Sequence, residues 1–115
     1  FTVDYPSALV SRGNLTGAVN AAAVSNNPQE VEITWLDNTD SGSALANDKA
    51  LIVALNTTRN EAIFTTAGPI RSAAAATLPV PAEYSTEKIE VFLGFVSDDG
   101  TKVANSIYLG SVTVA

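Results

Sequence analysis

Residues 29–37 read Gln-Glu-Val-Glu-Ile-Thr-Trp-Leu-Asp, and residues 88–97 read Lys-Ile-Glu-Val-Phe-Leu-Gly-Phe-Val-Ser. In the first stretch Val31, Ile33 and Trp35 fall on one face, while Glu30, Glu32 and Thr34 fall on the other. In the second, Ile89, Val91, Leu93 and Phe95 share a face opposite Lys88 and Glu90. A period of two is the signature of a strand packed on a core through one side. Phe92 and Val96 add apolar groups to the second face of 88–97, so that face is expected to be covered as well.

Working outward, residues 49–56 (Lys-Ala-Leu-Ile-Val-Ala-Leu-Asn) are apolar on both faces, which predicts a central strand. Residues 61–66 form a short partner. A last strand is expected over about 102–114, with Val103, Ile107 and Leu109 on one side and Tyr108 on the other. The apolar phase shifts after Gly110 to Val112 and Val114, which predicts a bulge at the glycine. Two alanine-rich runs, 21–24 and 73–76, have high helix propensity. The second lies between Pro69 and Pro79, room for at most about two turns, and helices that short are marginal. Both runs are therefore read as strands of small residues.

Turn-forming clusters separate these runs: Asn26-Asn27-Pro28, residues 38–42, residues 56–60, Gly68-Pro69, residues 79–81 and Asp98-Asp99-Gly100. Seven short strands at this spacing predict an all-β, antiparallel sandwich. Residues 14–115 are assigned to that one domain. Residues 1–13 stand apart as an extended segment, in which Phe1, Val3 and Tyr5 alternate with Thr2 and Asp4 before Pro6 breaks the run.

The landmarks resemble an immunoglobulin-like or fibronectin type III-like sandwich. They are Trp35 at the end of the second strand, the Leu78-Pro79-Val80-Pro81 corner, the Ile89–Phe95 alternation and the turn at Asp98-Asp99-Gly100. Tyr84 departs from the pattern: five residues ahead of Ile89, it is out of phase for a corner tyrosine. The chain also resembles the C-terminal part of a Bacteroidota family catalogued as a domain of unknown function. The matching pieces are Leu9-Val10-Ser11-Arg12-Gly13, Ile33-Thr34-Trp35 and Asn105-Ser106-Ile107-Tyr108-Leu109-Gly110. Relatives in that family are longer at the N-terminus, which implies that Phe1 is an internal position. The resemblance implies the fold and assigns no chemistry.

Composition narrows the function. The 115 residues contain no His and no Cys. Those side chains carry most proton transfer near neutral pH, most transition-metal ligation and all thiol chemistry. No cofactor is expected. The net charge of −6 argues against nucleic acid, which needs a basic stripe, and against anionic membranes. The six basic residues (Arg12, Lys49, Arg59, Arg71, Lys88 and Lys102) form no run. No apolar stretch approaches the roughly 20 residues that span a bilayer as a helix. Charged residues make up 16% of the chain against a usual share of about 25%, so Asn, Ser, Thr and Ala must cover much of the surface.

Several candidate sites follow from residue type. Asp37, Asp40 and Asp48 flank one loop and Asp98-Asp99 mark another; they lack the ligand spacing of a Ca²⁺ loop and are read as turn chemistry. Glu30, Glu32 and Glu90 are candidate acid–base groups, expected to lie in water. Lys49, Lys88 and Lys102 sit at strand starts, where lysine is solvated. Asn14 and Asn56 open N-glycosylation acceptor patterns and are expected to be exposed. Tyr5, Tyr84 and Tyr108 are the candidate sugar-stacking tyrosines. Trp35, with Ile33, Val91 and Leu93, is read as the core anchor.

The sequence therefore predicts a non-enzymatic structural subunit, extracellular or at the cell surface. Identical copies are expected to assemble as a homo-oligomer or filament, with Phe1, Val3 and Tyr5 as a candidate donor strand. The alternative is an accessory module of a larger secreted protein that holds a glycan or a protein in its end loops.

Overall fold

The computed structural model describes residues 11–65 and 68–115, so the candidate donor residues Phe1, Val3 and Tyr5 lie outside the described part. The described strands are β1 (Ala22–Val24), β2 (Glu30–Thr34), β3 (Lys49–Asn56), β4 (Glu61–Thr65), β5 (Ala75–Pro79), β6 (Lys88–Val96) and β7 (Ile107–Thr113). They form two antiparallel sheets, one ordered β1-β2-β5 and the other β4-β3-β6-β7. The chain is an all-β sandwich.

The alternation that marks the strands also builds the core. Val31 and Ile33 of β2 face Ile52 and Ala54 of β3, and Ile89, Val91, Leu93 and Phe95 of β6, across the interlayer space. All of these are essentially inaccessible to water. Fully burying one such side chain contributes about 1.5–3 kcal/mol, so this slab of residues dominates the stability. Trp35 follows β2 directly. Its ring meets Phe95 edge-on at 5.5 Å between centroids, and its indole N–H donates to the Arg71 carbonyl at 2.8 Å. The polar edge of a buried indole needs such a partner.

The central position of 49–56 holds: β3 pairs with β4 on one side and β6 on the other. The bulge at Gly110 is present. Val91 pairs with Gly110 but Phe92 pairs with Tyr108, so Leu109 is the extra residue. Gly110 sits at φ +109°, a conformation that only glycine adopts without strain.

Three expectations need correction. The last strand begins at Ile107, not 102; Val103 and Ala104 make only isolated bridges, to Val96 and to Asn14–Leu15. The run 73–76 is divided, with Arg71–Ala73 forming a 3-10 turn before β5 starts at Ala75. Tyr84 is 2% exposed. It sits in a 3-10 turn over Ala82–Tyr84, which resets the side-chain phase that counting back from Ile89 assumed.

Candidate functional site

The outer face of the four-stranded sheet carries an apolar row that crosses every strand. Phe64 on β4 pairs with Val53 on β3, Val53 with Phe92 on β6, and Phe92 with Tyr108 on β7. Leu51 and Leu55 flank Val53 on the same face, half-buried. An antiparallel sheet with one solvated face normally alternates to polar groups there; this row interrupts that pattern, with Lys88, Glu90 and Ser111 polar beside it. Phe92 is completely buried although it lies outside the core cluster. The Tyr108 ring covers one side of it at 5.3 Å and donates its hydroxyl to Glu90 at 3.0 Å. Phe64, at the other end of the row, is 68% exposed, the most exposed large apolar side chain among the described residues.

The same face shows where the chain leaves the N-terminal segment. Ser11 N–H donates to Ser106 Oγ, Ser106 N–H donates back to the Ser11 carbonyl, and Ser11 Oγ donates to the Ala104 carbonyl. Ser11 Oγ also occupies the space above Gly94 of β6; a Cβ there would come within 2.6 Å of it. Gly94 is therefore required by a close approach of chain to sheet.

At one end of the sandwich, loops 37–48 and 97–102 enclose a cleft of about 270 Å³, bordered by Leu15, Leu45, Ser43, Asp98, Asp99 and Lys102. The carboxylates of these two loops are mostly engaged in turns. Asp99 accepts from the Ser97 hydroxyl at 2.7 Å, and from the Thr101 hydroxyl and amide; these bonds, the Ser97 one foremost, hold its pKa down to about 2. Asp37 accepts from the hydroxyl and amide of Thr39, which lowers its pKa. Asp98 lies 3.7 Å from Lys49 on the surface. Among the described residues no three carboxylates converge where one ion could be held.

Asp48 behaves differently from its loop neighbours. It is buried against Arg71, whose side chain is wholly inaccessible. Arg71 also donates to the carbonyls of Thr16 and Gly17 and to Asn38 Oδ1, and its guanidinium carbon stands 4.1 Å from the centre of the Phe95 ring. Sequence reasoning treated Arg71 as one of six scattered cations. Its neighbours Ile70 and Ser72 carry no periodic signal that would have flagged it.

The candidate acid–base groups are dispersed. Glu30 and Glu32 lie on β2, and Glu90 lies on β6 in the other sheet. All three are half-buried, not fully in water as expected. Glu32 accepts from the side-chain amides of Asn26 and Asn27 at 3.3 Å.

The two acceptor-pattern asparagines diverge. Asn14 is exposed, but Asn56 is 1% exposed, a correction to the sequence reading. Its side chain accepts from Arg59 N–H and donates to Glu87, stitching the β3–β4 turn to the approach to β6. Of the tyrosines, Tyr5 lies outside the described residues. Tyr84 is buried with its hydroxyl on Glu61 at 2.8 Å, and Tyr108 is the half-buried ring beside Phe92.

A protein-family model described as "Family of unknown function (DUF6266)" matches residues 1–110. No curated protein matches the sequence. Among solved structures, the solution structure of the fn3 domain of human collagen alpha-1(XX) chain superposes with a TM-score of 0.64 at 11% identity. The match covers 91% of this chain and 90% of that one. At that identity the likeness shows the fold alone, a fibronectin type III-like sandwich.

Proposed function

We propose that the chain, which belongs to the DUF6266 family, is a non-enzymatic structural subunit of an extracellular filament or cell-surface assembly. Copies of it are joined by addition of a strand from one to the sheet of the next. The observation that carries this reading is Phe64, 68% exposed at the end of an apolar row whose other members, Val53, Phe92 and Tyr108, are half-buried or buried. The weakly charged, acidic composition supports it, since a surface poor in charge mates with its own kind at low desolvation cost.

In this reading Phe1, Val3 and Tyr5 are the alternating side chains of the donor strand. Burial of each contributes about 1.5–3 kcal/mol. That sum is comparable with the lower estimates, about 4 kcal/mol upward, for the freedom lost on association. Backbone hydrogen bonds and the sheet face supply the remainder. The test removes residues 1–10 and leaves Ser11 in place. The 1–115 protein is expected to form filaments in negative-stain micrographs, and the 11–115 protein to remain monomeric. Undiminished filaments from 11–115 reject the donor role.

A second reading is supported by the end-loop cleft: an accessory sandwich that holds a glycan or protein segment beside Ser43, Asp98 and Asp99. A strictly monomeric 1–115 chain with measurable glycan affinity, lost on Asp98→Ala, selects it.

A further inference from the structure

We infer that the end loops hold a primary alkylammonium, the side-chain tip of a lysine on a partner protein; this deepens the second reading and rests on it. A cleft of about 410 Å³ adjoins the one described above and shares Leu45, Asp48 and Asp98 with it. Thr39, Asp40 and residues 46–47 complete its wall. A space of this size takes a small ligand or a single inserted side chain. Among the described residues, three carboxylates border it and no lysine or arginine does.

Asp48 supplies the specific contact. Its Oδ2 accepts from Arg71 Nε and from the Leu45 N–H, each at 2.9 Å. Its Oδ1 accepts no hydrogen bond among the described residues, although Asp48 is only 1% exposed. A buried carboxylate oxygen without a donor is costly, and a donor that reaches it recovers that cost on binding. Asp48 walls both clefts, so the donor can arrive from either. A wall side chain has to turn to admit it. Leu45 is 59% exposed and outside the core cluster, so it can turn without opening the core.

The surroundings select the donor. A metal ion does not fit, because these carboxylates do not converge on one point. A guanidinium fits poorly: its fork suits two carboxylate oxygens, and Arg71 already holds Oδ2. A neutral hydroxyl could meet Oδ1 but would gain nothing from the charges of Asp40 and Asp98, both exposed. An ammonium is a compact point donor, attracted by all three carboxylates, and its alkyl stem can lie along Leu45. Lys49 does not take this place. Its ammonium stands 3.7 Å from Asp98 Oδ1 on the surface, and it does not border the cleft. The net charge of −6 favours the approach of a cationic partner.

The test titrates nitrogen-15-labelled 1–115 protein with N-acetyl-lysine methylamide. The Leu45 amide, which donates to Asp48 Oδ2, is the reporter. Saturable shifts are expected at the Leu45 and Asp98 amides, with a Kd at least fivefold lower than for the arginine analogue. The norleucine analogue keeps the stem and lacks the charge, and is expected to leave both amides unmoved. Butylammonium carries the same group without a peptide and is expected to bind at least threefold more weakly. Asp40→Asn/Asp98→Asn, at two exposed positions, is expected to weaken the lysine analogue at least fivefold with unchanged near-ultraviolet circular dichroism.

Equal shifts with the norleucine analogue, or full affinity in the double variant, overturn the inference. Butylammonium binding as tightly as the lysine analogue assigns the site to free amines and overturns the partner. Should cellohexaose or maltohexaose move the two amides while the lysine analogue does not, the inference falls and the cleft reading stands. If none of these probes moves them, both fall.

Discussion

Arg71 and Asp48 meet at a single oxygen: Nε of the guanidinium donates to Asp48 Oδ2 at 2.9 Å, and Nη2, which donates to the Thr16 carbonyl, stands 2.9 Å from the same oxygen. The pair is sealed, with side chains 0% and 1% exposed. Among the described residues Asp48 Oδ1 has no hydrogen-bond partner. Deleting one member therefore leaves a buried charge with little to replace its counter-ion. Arg71→Met is expected to cost about 3–5 kcal/mol, a large share of the roughly 5–15 kcal/mol typical of a domain. The double variant Arg71→Met/Asp48→Leu should recover only part of that loss: an apolar pair has no charge to desolvate, but the Thr16 and Gly17 carbonyls, Asn38 Oδ1 and Leu45 N–H lose their partners. Urea midpoints of wild type, both single variants and the double variant decide it. A single variant within 1 kcal/mol of wild type would show that the pair is not a structural requirement.

Tyr84 sets a limit on the alkaline side. Burial, with the bond to Glu61 next, pushes its phenol up to about 12. The ordinary value in an unfolded chain is about 10. The fold holds the neutral phenol, so its contribution is fully present below pH 10 and is lost as pH rises from there through about 12. Tyr84→Phe cannot ionise and should show a shallower fall in urea midpoint between pH 9 and pH 11. Parallel curves for the two proteins would count against the assignment.

Gly94→Ala probes the crossing of Ser11 over β6. The new methyl would meet Ser11 Oγ at 2.6 Å. The expected cost is about 1–3 kcal/mol, the range for overpacking a tight site. Adding Ser11→Ala removes the clashing oxygen and should restore part of the loss, although it also removes the bond to the Ala104 carbonyl. A double-mutant cycle by thermal denaturation measures the coupling, and additive effects would mean the two positions do not press on each other.

The elements that were legible in the sequence are those whose cause is local. Val31 and Ile33, or Ile89 to Phe95, announce their strand because every second residue is apolar, and Gly110 announces its bulge because the phase changes there. The polar core was not legible. Arg71 and Asp48 are 23 positions apart and lie in turns, where no periodicity tells which side chain turns inward. Asn56 resembled a surface acceptor because Asn56-Thr57-Thr58 matches the acceptor pattern, yet the alternation of β3 points its side chain inward to Glu87. The apolar outer face was half legible: Phe92 and Val96 were counted, but the row they belong to exists only once β4, β3, β6 and β7 are set in register.

The indole of Trp35 is the only one in the chain, and its N–H rests on the backbone of the residue whose guanidinium gathers residues 16, 17, 38 and 48. The protein therefore carries its own optical probe at the point where its remote loops meet. In a refolding experiment the emission of that ring should settle with the slowest closure of those loops, after far-ultraviolet dichroism has already recorded the strands.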